Sequence, residues 1–298
     1  MGKMNRVLIT GVGGYIGHQL AAYIKVNSPH TIINGIDIDR DLVVDLLVNR
    51  HLDAFQDDCF YLNGENDTSV EYDCVFHLAA TSSVPAFDIN PLQGFYNTIE
   101  ACRLLENVRF KKLIHASSAS LQTVEEPNWY ILSKNTAETI LNKAYGKKVW
   151  NLRLHNVAGR NPKFSYVERH DPETHLIPSL VKNQILKVYG DGSNRRTYVH
   201  VTDVCTCMWD VALYAKPHEF DKENWPYEIG PPKSYSVIDV IREYQGVSGA
   251  GLGIEFHPAR SEPAHQQSNY DYFAAKTPKG HEWKSLREMI EDTMKGNP

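Results

Sequence analysis

Arg6-Val7-Leu8-Ile9-Thr10 runs straight into Gly11-Val12-Gly13-Gly14-Tyr15-Ile16-Gly17, where Gly11, Gly14 and Gly17 fall three residues apart. The order predicts a strand, a tight turn and then a helix through Gly17-His18-Gln19-Leu20-Ala21-Ala22-Tyr23-Ile24, whose apolar residues recur at helical spacing. Such a turn aims backbone N–H groups and a helix N-terminus at a pyrophosphate. The three glycines would let the chain turn, let phosphates come close and let helix pack on strand. Chance also produces this spacing in a chain with 19 glycines, so the next element decides. Thr31-Ile32-Ile33-Asn34-Gly35-Ile36-Asp37 reads as a second strand that ends in an acid, at about the distance expected of a ribose-binding carboxylate. Asp37 would accept hydrogen bonds from a 2′-hydroxyl and repel a 2′-phosphate, which points to NAD. Arg40, close by, leaves NADP as the lesser alternative.

The 298 residues suit one large domain, or a nucleotide-binding domain with a smaller partner. A net charge of −5 gives no electrostatic reason to expect nucleic acid or an anionic membrane as partner. No apolar run approaches the roughly 18 residues of a membrane span. No signal-peptide pattern precedes the first strand, so a cytoplasmic protein is expected. Cys59, Cys74, Cys102, Cys205 and Cys207 lack metal-type pairing with histidines and read as reduced packing residues. The 13 histidines offer no ligand pair on a convincing helix, and no metal is expected.

Through residues 1–160, strand-like runs alternate with helical patterns over 92–105 and 134–144. The runs are Cys74-Val75-Phe76-His77-Leu78, Lys112-Leu113-Ile114-His115-Ala116 and Lys148-Val149-Trp150-Asn151-Leu152-Arg153-Leu154. This alternation predicts an α/β fold, a Rossmann-type doubly wound parallel sheet with ligands at the carboxyl ends of its strands. After Arg160, Asn161-Pro162, Asp171-Pro172, Gly190-Asp191-Gly192 and Pro231-Pro232 punctuate shorter elements. Residues 161–298 therefore read as a smaller C-terminal α/β region that is mainly substrate-binding. Tyr198-Val199-His200-Val201 and the helical pattern after it indicate that 195–215 returns to the first domain, and 286–294 reads as a last amphipathic helix.

Tyr130-Ile131-Leu132-Ser133-Lys134 sets a tyrosine and a lysine on one helix face. A free phenol, with a pKa near ~10, is a poor base at neutral pH. A neighbouring ammonium, helped by a nicotinamidium ring, would favour the phenolate. Ala116-Ser117-Ser118 ends a strand, so the Ser118 hydroxyl would lie at the sheet's carboxyl edge and share a proton with Tyr130.

The turn over 10–17, His77-Leu78-Ala79-Ala80, Asn97, Ser118, Tyr130, Lys134 and Arg196-Thr197-Tyr198-Val199-His200-Val201 stand in one order along nearly the whole chain. On these residues the chain resembles the extended short-chain dehydrogenase/reductase family. Asn156-Val157-Ala158-Gly159, with His170-Asp171-Pro172-Glu173-Thr174-His175-Leu176-Ile177-Pro178 after it, is similar to the uridine-nucleotide stretch of that family's UDP-hexose 4-epimerases. The resemblance implies that Gly11, Gly14, Tyr15, Ile16 and Gly17 hold the pyrophosphate of NAD and Asp37 its adenosine ribose. It also implies an acidic cofactor contact at Asp57 or Asp58, a channel lined by Leu78, Ala79 and Ala80 with Asn97 nearby, and Lys134 on the nicotinamide ribose. Asn156, Leu176, Tyr189, Arg196 and Arg260 match positions that hold UDP, with Tyr189 on uracil, the arginines on the diphosphate, and His175 shaping the loop. Ser118 would touch the sugar and, with Tyr130 and Lys134, form the catalytic set.

The implied reaction inverts C4 of UDP-glucose or UDP-galactose through a 4-keto sugar, in a homodimer built on the 92–105 helix and the helix of Tyr130. Ser268 stands where some epimerases carry a bulky aromatic, which extends the expectation to N-acetyl sugars. Leu121-Gln122 replaces the Tyr-Gly that normally follows the serine strand. Another NAD-dependent nucleotide-sugar enzyme (an epimerase, reductase or dehydratase on a different sugar) and a non-catalytic NAD-binding protein of the same fold stay open.

Overall fold

The computed structural model describes residues 4–38, 53–56, 70–82, 84–122, 128–160, 175–215, 227–259, 265–266 and 281–295. By contact the chain divides into two units, one of Met1–Ser118, Pro127–Arg153 and Cys205–Tyr227, the other of Ala119–Glu126, Leu154–Val204 and Glu228–Pro298.

In the first unit the strands are β1 (Arg6–Thr10), β2 (Ile32–Ile36), β3 (Ala54–Gln56), β4 (Cys74–His77), β5 (Leu113–Ser118) and β6 (Val149–Leu154). Its helices include α1 (Tyr15–Asn27), α2 (Pro91–Arg103) and α3 (Trp129–Tyr145), with a short helix over Val84–Ile89 ahead of α2. The strands lie in the order β6-β5-β4-β1-β2-β3. Parallel registers include Val7 beside Ile33 on one side and Cys74 on the other. Val7, Leu8 and Ile9 are buried because both faces of the sheet are covered, so β1 is a continuous apolar run rather than an alternating one. The order reverses between β1 and β4, the place where α/β sheets open a crevice at their carboxyl ends.

Side chains cap the starts of α2 and α3. Asn90 accepts from the Gln93 N–H ahead of α2, and Asn128 accepts from the Ile131 N–H ahead of α3, five residues before the predicted start. α3 stops at Gly146, whose φ of 53° suits glycine. α2 closes earlier than expected, in a 3-10 turn over Leu104–Asn107. Leu8, Val75, Leu105, Phe110, Leu113, Ala137 and Leu141 pack as one apolar cluster between sheet and helices.

The second unit contains β7 (Asn156–Ala158), α4 (Leu176–Lys182), β8 (Ile185–Tyr189), β9 (Arg195–Arg196) and β10 (Tyr198–His200). The chain then crosses to the first unit along α5 (Val201–Tyr214). It returns for β11 (Tyr235–Ser236), α6 (Val237–Ser248), β12 (Gly253–His257), β13 (His265–Gln266) and α7 (Leu286–Lys295). β8 pairs with β12 in parallel, and β9 lies between β11 and β13. Leu180, Leu186, Val188, Val240, Ile241, Met289 and Ile290 form this unit's core. α6 carries a capping box in which Ser236 and Asp239 satisfy each other's backbone N–H. Among the described residues no helix is long and apolar enough to cross a membrane, and Cys74, Cys102, Cys205 and Cys207 are buried free thiols.

One lysine closes the first unit. Lys112 Nζ donates to the carbonyls of Val211, Ala212 and Ala215, at 3.0, 2.7 and 2.9 Å, and stands 5.0 Å above the Trp150 ring. An ammonium at a helix C-terminus satisfies orphan carbonyls and meets the negative end of the dipole. Lys112→Met should lower unfolding free energy by about 1.5–3 kcal/mol, read by urea denaturation, since a hydrogen-bonded charge is lost.

Candidate active site

The glycine turn is built by backbone approaching backbone. Gly11, at φ 71°, donates to the Ile36 carbonyl at 2.8 Å, and a Cβ added there would meet the Ala79 amide nitrogen at 2.8 Å. A Cβ on Gly17 would collide with the Gly11 carbonyl oxygen. Gly14, the residue before α1, offers no side chain as a cap, so the first N–H groups of this helix are held by no capping side chain. α2, α3 and α6 carry side-chain caps instead, whereas an anion-binding turn needs its N–H groups open. Asp37, at the end of β2, is buried, and its Oδ2 accepts from the Gly13 N–H at 2.8 Å. A pyrophosphate on the turn and a ribose at the carboxylate suit these residues, so the turn fits NAD. Tyr15 and Ile16 are half-buried in the first turn of α1.

Leu78, Ala79 and Ala80 follow β4 and are half-buried beside Gly11. Thr10 Oγ1 accepts from the Ala79 N–H at 3.3 Å and is hydrogen-bonded to His77 Nδ1 at 2.9 Å. Neither polar contact was read from the sequence, although a polar residue at the end of an apolar strand is the sign that could have shown it. Asn97 lies exposed on α2 and accepts from Gln93 Nε2.

β5 and α3 bring Ser118, Tyr130 and Lys134 together. The Ser118 hydroxyl is hydrogen-bonded to the Tyr130 phenol, and Lys134 Nζ donates to the Ala116 carbonyl at 3.1 Å. Phe87 meets the Tyr130 ring edge-on, with centroids 5.9 Å apart, a contact with no mark in the sequence. Burial pushes the Tyr130 phenol above its usual range, and the Ser118 hydrogen bond opposes that rise. Burial pushes the Lys134 ammonium down to about 8, against Cys102 and Glu138, which hold it up. The ammonium is anchored on the Ala116 carbonyl, and the hydroxyl of Ser118 favours the phenolate.

In the second unit, Asn156 is exposed and donates to the Thr197 carbonyl at 3.1 Å. Half-buried His175 and Leu176 open α4. Tyr189, ending β8, lies 5.6 Å from the His257 ring at the end of β12. Arg196 Nη1 donates to the Arg195 carbonyl, whereas Arg195 is tied to Ser234 and Asp239. Arg40, Asp57, Asp58, His170, Arg260 and Ser268 lie outside the described residues.

A profile of the NAD dependent epimerase/dehydratase family matches residues 7–230. The chain is similar to the UDP-glucose 4-epimerase of Lactobacillus helveticus, at 28% identity over 97% of this chain and 94% of that one. It is similar to the UDP-glucose 4-epimerase of Mycoplasma genitalium, at 30% identity over 98% and 96%. A UDP-glucose-4-epimerase from Stenotrophomonas maltophila, solved with bound NAD and formylated UDP-arabinopyranose, shares the fold at TM-score 0.78, 20% identity, and 98% and 97% coverage. So does an NAD dependent NDP-hexosamine 5,6-dehydratase of tunicamycin biosynthesis, at TM-score 0.76, 23% identity, and 98% and 97% coverage.

Ser118→Ala should raise the Tyr130 titration midpoint further, by about one unit, because the phenolate loses a donor. The check is a tyrosine 13Cζ titration by nuclear magnetic resonance, with the signal assigned through Tyr130→Phe.

Proposed function

Because the chain belongs to the NAD dependent epimerase/dehydratase family and takes NAD as its cofactor, we propose that it inverts C4 of a UDP-hexose. UDP-glucose and UDP-galactose would interconvert through a transient 4-keto sugar. The observation that carries this reading is the Ser118 hydroxyl on the Tyr130 phenol, one helical turn from Lys134. NAD, when bound, would supply a reversible hydride acceptor for the sugar C4.

The protein's part is to move one proton and to hold the nucleotide. Tyr130, as phenolate, accepts the proton of the 4-hydroxyl and returns it to the inverted sugar, while the Ser118 hydroxyl donates to the phenolate before the transfer and to the keto oxygen after it. Lys134 supplies positive charge beside the proton-transfer site. The first unit would hold NAD through Gly11, Gly14, Tyr15, Ile16, Gly17 and Asp37, with Leu78, Ala79, Ala80 and Asn97 along the cofactor. The second would hold UDP through Asn156, Leu176, Tyr189 and Arg196. Binding energy then rests on the nucleotide, away from the reacting ring, and the hexose stays free to turn. Dehydration needs an acid–base carboxylate pair just after the strand-end serine, and here Ala119 and Ser120 follow Ser118. That favours epimerisation over dehydration.

Leu92, Tyr96, Trp129, Leu132 and Ile140 leave α2 and α3 of the first unit with exposed apolar side chains. We propose that a second copy covers them in an isologous four-helix contact.

Incubation with a panel of UDP-hexoses and their N-acetyl forms, read by nuclear magnetic resonance, should show C4 inversion. Tyr130→Phe should slow it by at least about a hundredfold with NAD still bound. An inert wild-type protein that retains NAD would favour the non-catalytic reading. In sedimentation the wild type should run as a dimer and Leu92→Glu/Leu132→Glu as a monomer.

A further inference from the structure

The face of α3 that carries Tyr130 and Lys134 continues to a third residue. Glu138 stands four beyond Lys134, so all three lie along one stripe of the helix. The last three residues of β5 take one contact each from that stripe. The Ala116 carbonyl accepts from Lys134 Nζ, Ser117 Oγ donates to Glu138 Oε1, and the Ser118 hydroxyl meets the Tyr130 phenol. Glu138 is buried and gripped from a second strand, with Arg153 Nε on Oε1 at 3.0 Å and Nη2 on Oε2 at 2.8 Å. A bidentate fork fixes the carboxylate in angle as well as in place. It therefore joins the ends of β5 and β6 to the helix of the candidate base.

From this geometry we infer that Glu138 is a positioning residue, whose carboxylate keeps Lys134 charged and fixes the strand end that presents Ser118. The inference rests on the roles proposed above for Tyr130 and Lys134. Lys134 needs such help because it is buried. The groups that face it are Cys102 from α2, His77 from β4, His115 from β5, and Tyr130 and Glu138 on its own helix. His77 and His115 are buried, and burial together with the Lys134 charge holds both well below the usual imidazole range, His115 at about 3. Burial pushes the Cys102 thiol up to about 11. Glu138 is thus the one carboxylate among the described groups that act on the ammonium. It opposes the burial that drives Lys134 toward neutrality, so removing its charge must lower the Lys134 midpoint further.

The test follows Lys134 itself in the NAD-loaded protein, by a lysine 13Cε titration assigned through Lys134→Arg. Glu138→Gln keeps an acceptor for Ser117 and removes the charge, and it should lower the midpoint by about one unit. Glu138→Gln/Arg153→Met, which leaves no unpaired guanidinium, should lower it as well and covers the case in which the single variant fails to fold. Glu138→Asp should restore it. A midpoint unmoved in a folded variant, with only thermal stability reduced, would make Glu138 a structural staple and overturn the inference. A wild-type protein that turns over no UDP-hexose overturns the proposed reaction instead, and the lysine titration still decides this point.

Discussion

At the end of β1 the Gly11 carbonyl, Gly17 and the backbone before Ala79 meet with no room for a side chain. That contact sets the distance of α1 from the sheet, and with it the direction of the uncapped N–H groups. It also brings the segment after β4 against the turn, where Thr10 ties it down through the Ala79 N–H. Asp37 binds the end of β2 to the same turn through the Gly13 N–H. Three strand ends are thus held at one point, by close backbone contact at the glycines and by the side chains of Thr10 and Asp37. A cofactor seated there inherits its position from the sheet.

The interior beside that point is polar in an ordered way. His77 is bonded to Thr10, and His115 to Asn151, which in turn donates to Asn142. Burial near the Lys134 ammonium keeps both imidazoles neutral, so positive charge stays on one group. A buried ammonium fixed among hydrogen-bonded groups suits proton transfer to and from a phenol, because the field of a fixed charge is weakly screened there.

The legible parts of this structure were those written in short spacings. The glycine turn and the Tyr130–Lys134 pair are each written within a dozen residues, and the alternation of strand and helix is a run of such short local patterns. Helix starts were less legible because a single side chain decides them: Asn128 begins α3 before the apolar period shows. Pairings across the fold were not legible. Ser117 with Glu138 joins a strand to a later helix, and Thr10 with His77 joins two strands 67 residues apart. The two adjacent arginines differ for the same reason. Arg195 is committed to Ser234 and Asp239, partners about 40 residues away, and only the folded sheet separates its role from that of Arg196.

The hold of Lys112 on the end of α5 bears on how the protein emerges from the ribosome. Its acceptors lie 99 to 103 residues downstream, and Trp209 of the same helix stacks on Phe76. The first unit therefore cannot mature in order of synthesis. After Arg153 the ribosome must add about 62 residues before Ala215 exists, roughly 3–12 s of elongation. Through that interval the nascent sheet lacks the cover of α5, and the Lys112 ammonium rests in water rather than on its carbonyls.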